Sequence, residues 1–484
     1  MTAVAAVDLG AQSGRVGIGR FDGERLELEE VHRFPNDPVL VRGRLQWDVL
    51  ALFRETLAGL RRSGRNDAID SVGVDSWGVD FGLVDGAGQL VASPVHYRDA
   101  RRAEAYDAVL TRIPAAELYA RTGIQLMPIN TIFELAAMAA EDDPALETAQ
   151  TLLLMPDLLH LWLCGRRVAE LTNATTTQCY DPSAGAWAAD LLERLDVPVR
   201  LMPELVPPAT PLGRLTPEVA DATGLGDAHV VAPATHDTGS AVAAVPFRRP
   251  GSAFLSVGTW SLVGVETREP VMDERAFAAN VTNEGGVAGT TRVLRNVTGL
   301  WLLHECRRAW SAEGADYSFA ELVALAETAP PLRSLIDPNE PVFAEPGNMP
   351  ARIADACARN GQPAPDGPAA TVRCILESLA LKHAEVVELV ARVTATEPQE
   401  LHVVGGGARN ELLCRWTAEA AGLPVLAGPD EATLAGNALV QLMALGELGG
   451  LEQAREVVRS SFELRRYEPA GASEWHEARE RLAA

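Results

Sequence analysis

Near the start, the apolar run Val4-Ala5-Ala6-Val7 stops at Asp8, passes through the small and polar turn Leu9-Gly10-Ala11-Gln12-Ser13-Gly14-Arg15, and resumes as Val16-Gly17-Ile18-Gly19. Two apolar arms around such a turn predict a β-hairpin. The figure recurs in the second half: Ala253-Phe254-Leu255-Ser256-Val257 leads into Gly258-Thr259-Trp260-Ser261, and Leu262-Val263-Gly264-Val265 leads out. The repetition predicts an internal duplication, with one domain over residues 1–246 and a second over 247–484. Just before the second hairpin, Val230-Val231-Ala232 ends at Pro233-Ala234-Thr235-His236-Asp237-Thr238-Gly239, and Ser240-Ala241-Val242-Ala243-Ala244-Val245 follows with helix-compatible spacing. That reading puts Asp237 at a strand end, near the junction of the two halves.

Other stretches fill in the pattern. Residues 70–85 predict a strand pair with Trp77 and Gly78 at its middle. Leu401-His402-Val403-Val404 reads as a strand, followed by Gly405-Gly406-Gly407-Ala408-Arg409-Asn410 and a helix over 411–421. Apolar spacing over 371–384 predicts another helix. The hydroxyl-rich run Glu170-Leu171-Thr172-Asn173-Ala174-Thr175-Thr176-Thr177-Gln178 can be buried only if its side chains find hydrogen-bond partners. Residues 329–368, rich in Pro and acids, predict an irregular excursion, and 451–484 a charged helical tail on the surface. Strand pairs followed by helices, twice over, make a mixed α/β chain whose halves bind ligands between them and exclude water on closing.

Composition narrows the function. At 484 residues the chain exceeds one ordinary core, and 47% hydrophobic with 22% charged residues is a globular balance. A net charge of -24 argues against a sequence-independent nucleic-acid binder and against a surface that seeks anionic lipid. The opening residues lack a basic stretch and meet Asp8 early, unlike a signal peptide, and no apolar run approaches a membrane span. The six cysteines contain no Cys-x-x-Cys pair, which predicts no zinc site and reduced thiols in a cytoplasmic setting. Lys382 is the only lysine and lies in the helical 371–384 pattern. A P-loop lysine, a protein-kinase strand lysine and a pyridoxal lysine are thereby excluded elsewhere.

The candidate chemistry has two readings at each position. Asp237 suits a general base at a strand end, or caps the helix that follows. The turn after Asp8 has the unhindered backbone N–H groups that cradle phosphates, with Asp8 placed to hold hydrated Mg²⁺; it also suits an ordinary hairpin. Trp77 is a sugar-pocket wall with room beside it at Gly78, or a core indole. The triple glycine lets backbone approach a flat ligand or a phosphate, though such turns are common.

Taken together and in order, Asp8-Leu9-Gly10 with Ser13-Gly14, His236-Asp237-Thr238, Gly258-Thr259-Trp260 and Gly405-Gly406-Gly407-Ala408-Arg409-Asn410 resemble the FGGY sugar kinases, over nearly the whole chain. Ala6 to Arg15, Asp75-Ser76-Trp77-Gly78-Val79-Asp80-Phe81, Tyr97-Arg98-Asp99, Gly123-Ile124-Gln125, Thr172 to Gln178, Ala279-Asn280-Val281-Thr282-Asn283-Glu284-Gly285-Gly286 and Glu431-Ala432-Thr433 resemble most the branch that acts on L-rhamnulose. The resemblance implies two ribonuclease H-like domains of the actin-type ATPase kind, facing across a central cleft. It implies transfer of phosphate from ATP to the 1-hydroxyl of that ketose, with Mg²⁺ as cofactor. By the same resemblance Asp237 is the base; Ala11, Gln12, Ser13, Gly14, Arg15 and Thr259 hold phosphates; Gly405, Gly406 and Asn410 line the adenosine site. Trp77, Gly78, His236, Thr238 and Asn296 touch the ketose, and Asp8 places the metal. His304 stands where the family commonly has Gln, so an ATP contact there differs in charge and shape. Cys357 and Cys374 fall where the family can carry a cysteine pair; two thiols are expected. The implied partners are sugar and ATP, with no nucleic acid or membrane, and a monomer or small homo-oligomer. A kinase for L-fuculose, xylulose or glycerol remains open, as does a non-catalytic ATP-binding module.

Overall fold

The computed structural model describes residues 1–65, 67–249 and 251–483. Asn66, Pro250 and Ala484, which fall within the two expected domains, lie outside the described residues. The chain forms two compact units: residues 1–246, 267–293 and 432–462 make the first, and 247–266, 294–431 and 463–484 the second.

The first unit is built on a six-stranded sheet in the order Thr210–Arg214, His229–Ala232, Ser71–Ser76, Thr2–Leu9, Ser13–Phe21, Leu26–Pro35. Thr2–Leu9 runs antiparallel to Ser13–Phe21 and parallel to Ser71–Ser76, which in turn runs parallel to His229–Ala232. The two central strands are buried on both faces, hence their near-continuous apolar runs. One covering helix, Ala432–Ala444, comes from far along the chain. Its Gln441 is donated to by Ser71 Oγ at 2.7 Å and donates to the Ala5 carbonyl at 3.1 Å. Asn437, one turn earlier, donates to Asp75 at 2.5 Å.

Residues 70–85 do not form the strand pair expected from their pattern. Ser71–Ser76 belongs to the large sheet, whereas Phe81–Val84 pairs with Leu90–Ala92 and Thr151–Leu154 in a separate three-stranded sheet. The break falls at Val79, whose φ of 67° turns the chain out of the first sheet.

The second unit repeats the opening figure of the first. Ala253–Val257 and Trp260–Thr267 pair antiparallel, and Leu401–Val404 runs parallel to Ala253–Val257. Val425–Ala427 and then Arg465–Tyr467 extend this sheet. The turn between the hairpin arms is clamped from below: Gly299 N–H and Trp301 N–H donate to the Thr259 carbonyl at 3.1 and 3.2 Å, and Leu300 N–H to that of Gly258 at 2.9 Å. A Cβ at Gly299 would lie 2.6 to 2.8 Å from three backbone atoms of residues 258, 260 and 261, so only glycine fits there. The 28-residue helix Gly367–Thr394 carries Lys382, which pairs with Asp337 at 3.0 Å and Glu385 at 2.8 Å. Within the Pro-rich 329–368 stretch, Met349–Arg359 is an amphipathic helix with Ile353, Ala356 and Cys357 buried. The C-terminal residues are no free solvated tail. Val457 and Val458 of helix Leu451–Ser461 are buried, Arg465–Tyr467 is an edge strand, and Trp475 of the last helix is buried and donates to Glu419 at 2.9 Å. No helix among the described residues is long and apolar enough to cross a membrane.

Candidate active site

Three parallel strands of the first unit end in carboxylates. Asp8 closes Thr2–Leu9, Asp75 stands opposite it near the end of Ser71–Ser76, and Asp237 follows His229–Ala232 by way of a small-residue corner. Ser76 N–H donates to the Thr235 carbonyl at 2.9 Å, tying that corner to the middle strand. Carboxyl ends of adjacent parallel strands are where open α/β sheets place ligands, because the chain leaves the sheet there and backbone and side chains become available.

Asp237 opens the helix Asp237–Ala243, and its side chain is 30% exposed, more open than its neighbours. Thr238 N–H donates to its Oδ1 at 2.6 Å. That bond goes to the next amide; the N-cap position is His236 and the helix start carries no side-chain cap, so the capping reading of Asp237 does not hold. Desolvation pushes the carboxyl above the usual range, the charge of His236 pulls it back, and Asp8 adds to the push.

The corner that carries Asp237 hangs on a glutamate. Buried Glu170 accepts hydrogen bonds from Thr172 N at 2.9 Å, Thr172 Oγ1 at 2.5 Å, and from both Thr235 N and Thr235 Oγ1 at 2.8 Å. Thr172 Oγ1 in turn accepts from His236 N at 3.2 Å. The hydroxyl run thus finds its partners within the unit; Glu170 opens the run read from the sequence, but its role as the shared acceptor was not legible there, because one Glu before a Thr-rich stretch carries no motif. Glu284, which stands only within a stretch that carries the resemblance, and Arg292, which lies outside every stretch read from the sequence, both face His236: nothing in their spacing announces contact with residue 236.

The Asp8 turn is more closed than its composition suggests. Arg15 lies opposite Asp8 in the hairpin and ion-pairs with it at 2.6 Å. Asn36 Nδ2 donates to the Gly10 carbonyl at 2.8 Å, leaving Ala11, Gln12 and Ser13 as the half-open tip. Asp75 Oδ1 is fully buried with no hydrogen-bond partner, while Asp75 as a whole is pushed well above the usual range by burial and by Asp8. Among the described residues no three ligating side chains converge as a metal cage. One carboxylate beside a phosphate-facing turn still fits a cation that arrives with nucleotide phosphates and keeps its waters.

Trp77 and Gly78 sit in a packed setting. Trp77 is 6% exposed, donates to Asp80 at 2.9 Å and lies against Trp47 with ring centroids 4.2 Å apart. The space beside Gly78 is taken by Thr176, whose Oγ1 accepts from Val79 N at 3.1 Å. The room read from the sequence is thus filled by protein.

The remaining residues lie on the second unit. Thr259 is at the clamped hairpin tip, and Asn296 is on the strand Thr291–Thr298. Gly405 has a φ of 82° and turns the chain from Leu401–Val404 into the short 3₁₀ helix Gly406–Arg409. Gly406 faces open space, whereas a Cβ at Gly407 would collide with Val257. Asn410 caps the helix Glu411–Ala421, accepting from Leu413 N at 3.0 Å. His304, on the helix Trp301–Ala312, packs edge-on to Phe319 at 4.8 Å. Burial, with Arg307 nearby, lowers it to about 4, so at neutral pH it is uncharged. Cys357 and Cys374 are free thiols with their sulfurs 4.0 Å apart.

The N-terminal domain of the FGGY family of carbohydrate kinases matches residues 3–244, and its C-terminal domain residues 253–445. A rhamnulokinase of Bacteroides thetaiotaomicron is 43% identical over 98% of this chain and 97% of its own length. One from Pectobacterium atrosepticum is 41% identical over 98% and 94%. Among solved structures, a ligand-bound xylulose kinase from Lactobacillus acidophilus superimposes with a TM-score of 0.81 over 100% of this chain and 97% of its own, at 14% identity. Plasmodium falciparum glycerol kinase with ADP does so at 0.78 over 100% and 99%, at 15% identity. The fold is the two-domain α/β fold of these kinases, and the chain belongs to the FGGY family of carbohydrate kinases.

Proposed function

We propose that this carbohydrate kinase transfers the γ-phosphoryl group of ATP to the 1-hydroxyl of L-rhamnulose, giving L-rhamnulose 1-phosphate and ADP. The observation that carries the reaction is Asp237: a carboxylate at a strand end, open where its neighbours are closed, on a corner anchored by Glu170. The acceptor follows from the rhamnulokinases that align with this chain from end to end.

Asp237 accepts the proton of the acceptor hydroxyl as its oxygen attacks the γ-phosphorus; the bond to the bridging oxygen breaks and ADP leaves. Phosphoryl transfer asks little covalent help of the protein, so positioning and charge carry most of the rate. His236 and Thr238 flank the base and contact the ketose, with Asn296 as a further sugar-side residue; Trp77 and Gly78, packed against Trp47 and Thr176, shape the wall behind them. Ala11, Gln12, Ser13, Gly14, Arg15 and Thr259 hold the phosphates, and Gly405, Gly406 and Asn410 line the adenosine site. Neutral His304 contributes no charge there. Mg²⁺ brought in by ATP, held by Asp8, would neutralise charge on the phosphate oxygens. Residues 1–246 serve acceptor and base, and 247–484 serve the nucleotide, apart from the segments 267–293 and 432–462 that complete the first unit.

The test is ADP release by the purified protein with Mg²⁺–ATP against L-rhamnulose, L-fuculose, L-ribulose, D-xylulose and glycerol. Turnover with L-rhamnulose far above the rest is the expected result. Preference for another acceptor overturns the substrate.

A further inference from the structure

We infer that His160 is a positioning residue: its neutral ring holds apart the strands that lead to Asp75 and Asp237, and so sets where the base stands relative to Asp8 and the phosphates. The inference rests on the role proposed above for Asp237.

The two strands keep step only where they start. His229 lies opposite Ser71 and Val230 opposite Val72, and the next parallel bridge joins His236 to Ser76. Seven residue steps on one strand therefore span five on the other, and the surplus bows out over 231–235, the corner that delivers Asp237. On its other side Ser71–Ser76 stays in unbroken register with Thr2–Leu9, so the bow belongs to the corner strand alone. Extra residues in one strand re-aim the side chains that follow them, and such irregularities gather beside active sites. Inside the gap, Val74 has no ladder partner on that side, and its N–H donates to His160 Nε2 at 3.2 Å. Contact between the strands resumes where Ser76 N–H reaches the Thr235 carbonyl at 2.9 Å. The ring, fully buried on the helix Met155–Cys164, thus stands in for the missing stretch of strand.

That hydrogen bond fixes the state of the ring. A backbone N–H only donates, so Nε2 is bare and Nδ1 carries the proton. Burial pushes His160 down to about 3, in keeping with a ring that stays neutral. Its Nδ1 has no hydrogen-bond partner and lies 3.9 Å from Asp157 Oδ1. A buried N–H left short of its acceptor is costly, and a ring placed for its own sake would close that distance. Val74 keeps it between the strands instead. Asp157 Oδ1 takes the Glu170 N–H at 3.4 Å, and Glu170 in turn carries Thr235. One side of the gap is therefore held by His160 and the other by Glu170, both on the segment 155–170 of the first unit. Take away the acceptor and Val74 N–H must find its partner in the bowed strand, which draws the corner and Asp237 toward Asp75. A reaction that runs on positioning is sensitive to a displacement of that kind.

The test joins a spectrum to two variants. In ¹⁵N-histidine-labelled protein, with His160 assigned by the signal lost in His160→Gln, the wild type is expected to show a protonated Nδ1 and a bare Nε2 across about pH 5 to 8, where an ordinary histidine titrates. His160→Leu fills the space but removes the acceptor, and is expected to lower kcat about tenfold to a hundredfold with KM for ATP within about twofold. His160→Gln keeps an acceptor for Val74 N–H and is expected to hold kcat within about threefold of the wild type. A protonated Nε2 in the wild type overturns the inference. So does a folded His160→Leu protein with unchanged kcat, or a folded His160→Gln protein as slow as the Leu variant is expected to be. Should His160→Leu not fold, His160→Gln decides; if neither folds, His160 is core packing and the inference falls. Kinetics are run on the acceptor that the wild type turns over: if that is not L-rhamnulose the substrate reading falls, and the same comparison still decides the role of His160. Full turnover by Asp237→Asn removes the base itself, whatever the ring shows.

Discussion

Asp237 both holds the Thr238 amide and keeps an open carboxylate, and its substitution separates the two duties. Asp237→Asn keeps an oxygen for Thr238 N–H and so keeps the helix start, but it cannot take a proton. Turnover is expected to fall about 10²- to 10⁴-fold with the melting temperature nearly unchanged, as read by steady-state kinetics and thermal denaturation on the same sample. Its elevated protonation point has a kinetic sign. The base acts only when ionised, and desolvation with Asp8 moves its loss of charge to higher pH. The acid limb of kcat/KM is therefore expected above the range of an ordinary aspartate; a limb at the ordinary position refutes that assignment. His236-Asp237-Thr238 was legible in the sequence because its residues are contiguous. The carboxylate and guanidinium behind His236 come from positions about fifty residues away, and no local pattern reports a contact made by folding.

At the level of elements, the hairpins and the strand-turn-helix junctions were readable, since each is set by local alternation and turn chemistry. The supposed pair within 70–85 was not, because both strands are apolar and only tertiary packing sends one to the central sheet and the other to a small one. Two elements make predictions. Gly406 faces open space and its φ is not in the left-handed region, so Gly406→Val is tolerated by the fold. The variant is expected to melt like the wild type without nucleotide and to lose the rise in melting temperature that ADP produces; retention of that rise removes Gly406 from the nucleotide site. Glu170→Ala leaves the donors of Thr172 and Thr235 without their buried acceptor. A cost of about 3 kcal/mol is expected, measured as a lowered denaturation midpoint, with reduced kcat because the corner below Asp237 loosens.

For the whole molecule, charge is the dominant sequence-level quantity. With a net charge of -24, self-repulsion opposes compactness, so raising ionic strength from about 0.01 M to about 0.15 M is expected to raise the melting temperature; a fall would show that specific ion pairs outweigh the net field. The duplication was visible in the repeated hairpins, but the return of 267–293 and 432–462 to the first unit was not, since composition does not change at those points. That return has a consequence for biosynthesis. Asn437 and Gln441 bond to the backbone and side chains of the first sheet strands, and the helix Ala432–Ala444 covers them. While the polypeptide is being translated, the first 246 residues emerge with that face bare and wait for almost all the remaining codons before their core can close. Chaperone demand during synthesis should therefore track the delay in delivering this helix, and the amino-terminal half expressed by itself should aggregate.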